Sequence, residues 1–309
     1  MQKRVKWFAA AAIIALSVGP AAAGTGHQWE DYRWNTDGAI GENALALDVS
    51  YKFANKAYWL DYYVNATSTT VTGALHKWDA GTTAYQSPLA LNDKGEATHT
   101  TSSACGLILD EVVVCADRYG TSQGWVGIAN IEVDSSNYIQ WATARLNDSY
   151  YLDAPYSATY NTDPQKQFVT CHEIGHTFGL GHLDTSFYNP NKGSCMDYTA
   201  NPAGGGRSKD NRHPGEVDWQ VLLSTTMYGD RTSGGGGGKG GGKPNRLDPF
   251  QFREVGNPSP EGAANGRFGR IVGYDGEGRP VEYVRELRNG NRQITFVTWA
   301  KGYRPEGSR

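Results

Sequence analysis

The stretch that most constrains this chain is His172-Glu173-Ile174-Gly175-His176-Thr177-Phe178-Gly179-Leu180-Gly181-His182. His172 and His176 are four apart, so on a helix they lie one turn apart on one face. Two imidazoles so placed can bind one Zn²⁺ at about 2.0–2.1 Å each. Glu173 is rotated about 100° around the helix axis from His172. From there it can reach a metal-bound water rather than the metal. Gly179 tolerates a positive φ, which lets the chain turn back sharply. His182 can then arrive as a third ligand. Three protein ligands and one open position make the layout of a catalytic rather than a structural zinc.

The flanking sequence suits that geometry. A helix is expected over Pro164–Phe178, with Asp163 as N-cap and Pro164 in the first helical position. Phe168, Ile174 and Phe178 share its buried side, and Gly179 stops it. Trp125–Val133 and Tyr138–Leu146 are rich in β-branched and aromatic residues around Asp134-Ser135-Ser136-Asn137, which reads as a β-hairpin. Thr70–Ala80 has helical spacing, with Val71, Leu75 and Trp78 on one face. The body therefore mixes strands and helices, an α+β class.

Two segments punctuate the 309 residues. Lys3, Arg4 and Lys6 precede an apolar run from Trp7 to Val18, and Ala21-Ala22-Ala23 offers a cleavage site. Residues 1–23 thus read as a secretory signal peptide, the run being shorter than the roughly 20 residues of a spanning helix. A secreted, extracellular product without a membrane span follows. Glycine is abundant at 39 residues, and its densest run, within Ser233–Lys243, reads as a flexible linker. Gly237–Lys243 matches the start of a phosphate-binding loop, but Pro244 follows where Ser or Thr is needed, so that reading is rejected.

The linker separates a zinc-site domain at 24–232 from a tail at 244–309. The net charge of −3 is the sum of −6 for residues 1–243 and +3 for 244–309. No global basic field recruits nucleic acid. The tail holds three strand-like runs, Arg270–Tyr274, Val281–Leu287 and Gln293–Trp299, with turn signals at Asp275-Gly276 and Asn289-Gly290. It is expected to form a small β module that attaches to a substrate, surface or partner, or that serves export or processing. A solvated module without chemistry of its own is the plainer reading.

The extended histidine motif resembles that of the metzincin clan of zinc metallopeptidases. That clan carries a methionine turn beneath the metal, and Ser194-Cys195-Met196-Asp197-Tyr198 fits the role, with Met196 as the apolar floor. The resemblance implies an endopeptidase with a mixed twisted sheet, an active-site helix, and protein or peptide substrates. It implies Glu173 as general base, and a role for Tyr198 as a further zinc ligand that can swing to stabilise the transition state. It also implies that the 125–146 hairpin is a sheet edge that holds substrate as an added strand. Leu183 and Asp184, after the third histidine, match none of the clan's best-known subfamily markers, and no Cys-containing latency motif is present. Calcium is compatible with the clan but not derivable from these residues.

Four cysteines allow three pairings. Cys105–Cys115 and Cys171–Cys195 are favoured, the second tying the zinc helix to the methionine turn; Cys115–Cys171 is the pairing that would refute them. His27, His76, His99 and His213 lack ligand spacing and are expected to be exposed or locally bonded. Asn65-Ala66-Thr67 and Asn147-Asp148-Ser149 fit the glycosylation pattern. The competing function is a catalytically silent zinc-containing binding or adhesion protein on the same fold.

Overall fold

The computed structural model describes residues 27, 30–35, 46–64, 73–224, 226–228, 268–305 and 307–309. The expected leader at 1–23, the glycine run at 233–243, Val71 and the Asn65–Thr67 sequon lie outside the described residues. No described helix is long and apolar enough to cross a membrane.

The fold is a mixed sheet with helices packed against it. The strands are β1 (Arg33–Trp34), β2 (Ala46–Phe53), β3 (Ala90–Glu96), β4 (Glu111–Asp117), β5 (Trp125–Val133), β6 (Tyr138–Asn147), β7 (Arg270–Tyr274), β8 (Pro280–Glu286) and β9 (Arg292–Trp299). The helices are α1 (Lys56–Tyr63), α2 (Ala74–Ala80), α3 (Asp148–Leu152), α4 (Ser157–Tyr160), α5 (Asp163–His176) and α6 (Glu216–Leu222). The sheet runs β3-β2-β4-β6-β5-β9-β8-β7, with β1 beside β6. β1 to β4 and β6 pair in parallel, while β5, β7, β8 and β9 add antiparallel ladders.

The central strands are covered on both faces. Val112, Val113, Val114 and Ala116 of β4 are all buried, as is the whole of β5. Continuous apolar runs of this kind belong to sheets with two covered faces. The hairpin β5–β6 turns where expected: the Asp134 carboxylate accepts from the Ser136 and Tyr138 amides at 2.8 and 3.0 Å, and Asn137 takes a φ of 66°. On the helical side, Trp78 of α2 meets Phe178 and Trp219 edge-on, each pair with centroids 5.6 Å apart. Such aromatic pairs add about 0.5–1.5 kcal/mol beyond area burial.

Helix α5 begins one residue earlier than the sequence suggested. Thr162, not Asp163, is the N-cap, its hydroxyl accepting from the Gln165 amide. The helix ends at His176, and Phe178 stays buried in the turn that follows. Helix α2 spans Ala74–Ala80 and buries Leu75 and Trp78. Both favoured disulfides form, Cys105–Cys115 and Cys171–Cys195.

The tail departs most from expectation. Its three strands form as a meander, but not as a sheet of their own. β9 pairs antiparallel with β5 from Trp125↔Trp299 to Val133↔Arg292, so β7–β9 extend the sheet of the body. The physical reason is apolar. A three-stranded meander alone is marginal, whereas Phe268, Val281, Tyr283, Val297 and Trp299 here share a buried cluster with Tyr119, Trp125, Ile128 and Tyr198. Burying each such side chain contributes roughly 1.5–3 kcal/mol.

Candidate metal centre

Helix α5, the turn after it and the 194–198 loop bring three histidines together. Gly179 makes the turn possible in two ways. Its φ is +90°, and a Cβ there would lie 1.9 Å from the Tyr32 carbonyl oxygen. Only glycine fits that approach. The chain then carries His182 back to His172 and His176, and one ligand-capable atom of each lies within 4.8 Å of the others.

The hydrogen bonds of the three rings decide which nitrogen faces inward. His172 Nδ1 donates to the Cys195 carbonyl at 2.6 Å, and His176 Nδ1 to the Leu180 carbonyl at 2.7 Å. His182 Nδ1 donates to Glu282 Oε1 at 3.1 Å. Each acceptor fixes its hydrogen on Nδ1 and leaves a lone pair on Nε2. The Nε2 atoms of His172 and His176 then face each other at 3.1 Å with no hydrogen between them. His182 Nε2 is buried and has no hydrogen-bond partner among the described residues. Three converging lone pairs without a donor are unfavourable unless a cation accepts them. Two zinc–nitrogen bonds of about 2.05 Å at a tetrahedral angle set the nitrogens about 3.3 Å apart, close to the observed spacing. Burial holds both helix histidines neutral: it drives His172 down to about 3, with the neighbouring His182 adding to the effect, and His176 well below its usual value. Neutral imidazole is the ligating form. The three residues therefore could hold a metal ion.

Glu173 is completely buried on the adjoining face of α5. Its Oε1 accepts from Thr298 Oγ1 at 2.7 Å, and Oε2 has no partner among the described residues. Desolvation pushes the carboxyl up to about 8, against the opposing Thr298 bond. A carboxyl raised in this way is suited to hold or release a proton near neutral pH. Gly127 of β5 makes room for it, since a Cβ there would come 2.2 Å from Oε1.

Met196 packs under the helix. A Cβ at Gly175 would lie 2.4 Å from Met196 Sδ, so the glycine admits the thioether against the backbone of α5. The loop is held by Cys171–Cys195 and by the Leu183 amide on the Met196 carbonyl at 2.8 Å. Ser194 Oγ donates to the buried Asp218 carboxylate, which also meets His27 Nε2 at 2.6 Å. His27 thus lies against a local carboxylate, His99 bonds the Gly106 carbonyl, and His213 lies beside Lys77. His76 is exposed. The Tyr198 ring lies 4.8 Å from that of His182, centroid to centroid, but its hydroxyl donates to the Val297 carbonyl at 3.0 Å.

Sequence reasoning missed the contribution of the tail. Glu282, Phe296 and Thr298 all touch candidate residues, Phe296 stacking on His176 at 4.1 Å. Nothing local marks them, because each lies more than ninety residues from the histidines. Gly127 did carry a signal, since a glycine inside a strand often marks a close approach. In comparisons with known proteins, the chain matches no family model and no curated protein.

Proposed function

We propose that this chain is a secreted zinc endopeptidase of metzincin type, with His172, His176 and His182 as metal ligands and Glu173 as general base. The observation that carries the reading is the tied-off Nδ1 atoms and convergent Nε2 atoms of three histidines beside a buried carboxyl. Held by His172, His176 and His182, a metal would supply Lewis-acid chemistry toward a peptide carbonyl and would lower the pKa of a water at the site. Glu173 takes a proton from the water as its oxygen bonds to the scissile carbon. The same carboxyl delivers that proton to the amine as the C–N bond breaks. Gly127 and the α5 backbone hold Glu173 in place, and Met196 and the Cys171–Cys195 bridge keep the histidine floor rigid. Tyr198, beside His182, can stabilise the developing charge once its hydroxyl leaves the Val297 carbonyl. Two disulfides suit an oxidising compartment.

A second reading, a zinc-containing binding protein that does not cleave, is favoured by the complete burial of His172, Glu173 and His176. The two separate in one assay: zinc-loaded protein, intact and after a cut within 234–242 with the tail removed, is incubated with casein with and without a metal chelator. Chelator-sensitive cleavage by either form supports the peptidase. Its absence from both supports the binding protein.

A further inference from the structure

We propose that residues 268–309 are an intramolecular inhibitor seated in the peptide cleft of the three-histidine centre, a proposal that rests on the peptidase reading. Without β9, the strand β5 would be the free edge of the body's sheet, next to the helix that carries Glu173. A free edge offers unpaired amides and carbonyls to an extended peptide, the recognition mode known as strand addition. β9 takes that place in full, pairing with β5 over its length.

The tail also meets the site side chain by side chain. Thr298 Oγ1 donates to Glu173 Oε1 at 2.7 Å, Phe296 stacks on His176 at 4.1 Å with planes 4° apart, and Glu282 Oε1 accepts from His182 Nδ1 at 3.1 Å. The Val297 carbonyl accepts from Tyr198 Oη at 3.0 Å. These contacts are not those of a substrate ready to react. The base holds a hydroxyl hydrogen from Thr298, the Tyr198 hydroxyl is occupied, and an aromatic ring covers the second histidine. Access for a peptide therefore requires that β9 leave.

The seat is made of apolar and backbone contacts. Trp299 and Val297 lie in the shared apolar cluster, the Ala300 amide bonds the Gly124 carbonyl at 2.8 Å, and Tyr303 packs so closely on Gly124 that a Cβ there would meet its ring at 2.0 Å. Residues 229–267 join this segment to the body. A cut among them makes the contact bimolecular, so the effective concentration of the tail falls from the millimolar range of a tethered partner to the concentration of the protein.

The test uses the full chain with a site-specific protease sequence inserted within 234–242, loaded with zinc. Three quantities are read before and after cutting, across a dilution series: zinc content, cleavage of a fluorogenic peptide, and binding of a fluorescent peptide hydroxamate, whose chelating group needs an open metal. The intact chain should hold one zinc, bind the hydroxamate at least tenfold more weakly, and cleave at less than a tenth of the rate of the cut and diluted chain. Added synthetic 268–309 peptide should reverse both gains. Equal hydroxamate binding and equal rates before cutting and after gel-filtration loss of the tail would overturn the inhibitor while leaving the peptidase standing. Loss of zinc with the tail would overturn it too, by making the segment part of the metal centre. If the cut tail stays bound at every dilution, an uncut Phe296→Ser/Trp299→Ala chain decides: a tenfold rise in hydroxamate binding at unchanged zinc supports the proposal, and no rise overturns it. Hydroxamate binding that rises on release without any peptide cleavage supports the seated tail and removes the peptidase reading instead.

Discussion

Glu282 accepts the Nδ1 hydrogen of His182 at 3.1 Å, although the two residues lie one hundred positions apart. The carboxylate sits on β8 and the histidine beyond α5, so the tail orients one histidine of the candidate metal centre. Outer partners of this kind orient the ring and raise its basicity, and their loss typically weakens metal binding by about 10–100-fold.

Glu282→Ala should accordingly weaken zinc binding by about 10–100-fold, measured by competition with a chromogenic chelator. Glu282→Gln, which keeps an acceptor, should lose less. Zinc should remain bound at micromolar concentrations in both. Unchanged affinity in the alanine variant would show that His182 is oriented by other contacts.

Gly127→Ala should disturb both stability and the site. The added methyl would lie 2.2 Å from Glu173 Oε1 in the interior of the sheet. Overpacking of this kind costs about 1–3 kcal/mol. Gly175→Ala should behave alike, against Met196 Sδ at 2.4 Å. Denaturant unfolding should show both losses; wild-type midpoints would contradict the close packing around α5.

Asp148 makes stability fall as pH rises. It is buried, accepts from Trp59 Nε1 at 2.5 Å, and desolvation raises its carboxyl to about 7 from 3.8. Between those values the folded state keeps a proton that the unfolded chain has released, so each pH unit costs about 1.4 kcal/mol until the folded carboxyl ionises. From pH 5 to 8 the effect is on the order of 3 kcal/mol. Asp148→Asn removes the ionisation and should gain stability over wild type progressively between pH 5 and 8. Parallel pH profiles of the two proteins would contradict the assignment.

The site was legible in the sequence wherever the chemistry was local. Three histidines on a helix and its turn and a glycine at 179 are set by spacing, and the structure brings the three rings together. Cys171–Cys195 was legible because each cysteine adjoins a candidate site residue, and Cys105–Cys115 because it closes a short loop. The seat of the tail was illegible because strand pairing between β5 and β9 is decided by side chains more than 150 residues apart. Val297 and Trp299 read as strand residues in either arrangement. Only the apolar cluster they complete with Trp125, Ile128 and Tyr198 reveals which sheet they join.

Glu173→Gln tests the account most directly, because it keeps the shape of the side chain and removes its proton chemistry. Wild-type and variant chains, each zinc-loaded, cut within 234–242 and freed of the tail, are compared for zinc content and for chelator-sensitive cleavage of a fluorogenic peptide. The account predicts equal zinc and a loss of about 10²–10⁴-fold in turnover for the variant, the range expected for removing a general base. Equal turnover by a zinc-loaded Glu173→Gln chain would contradict it.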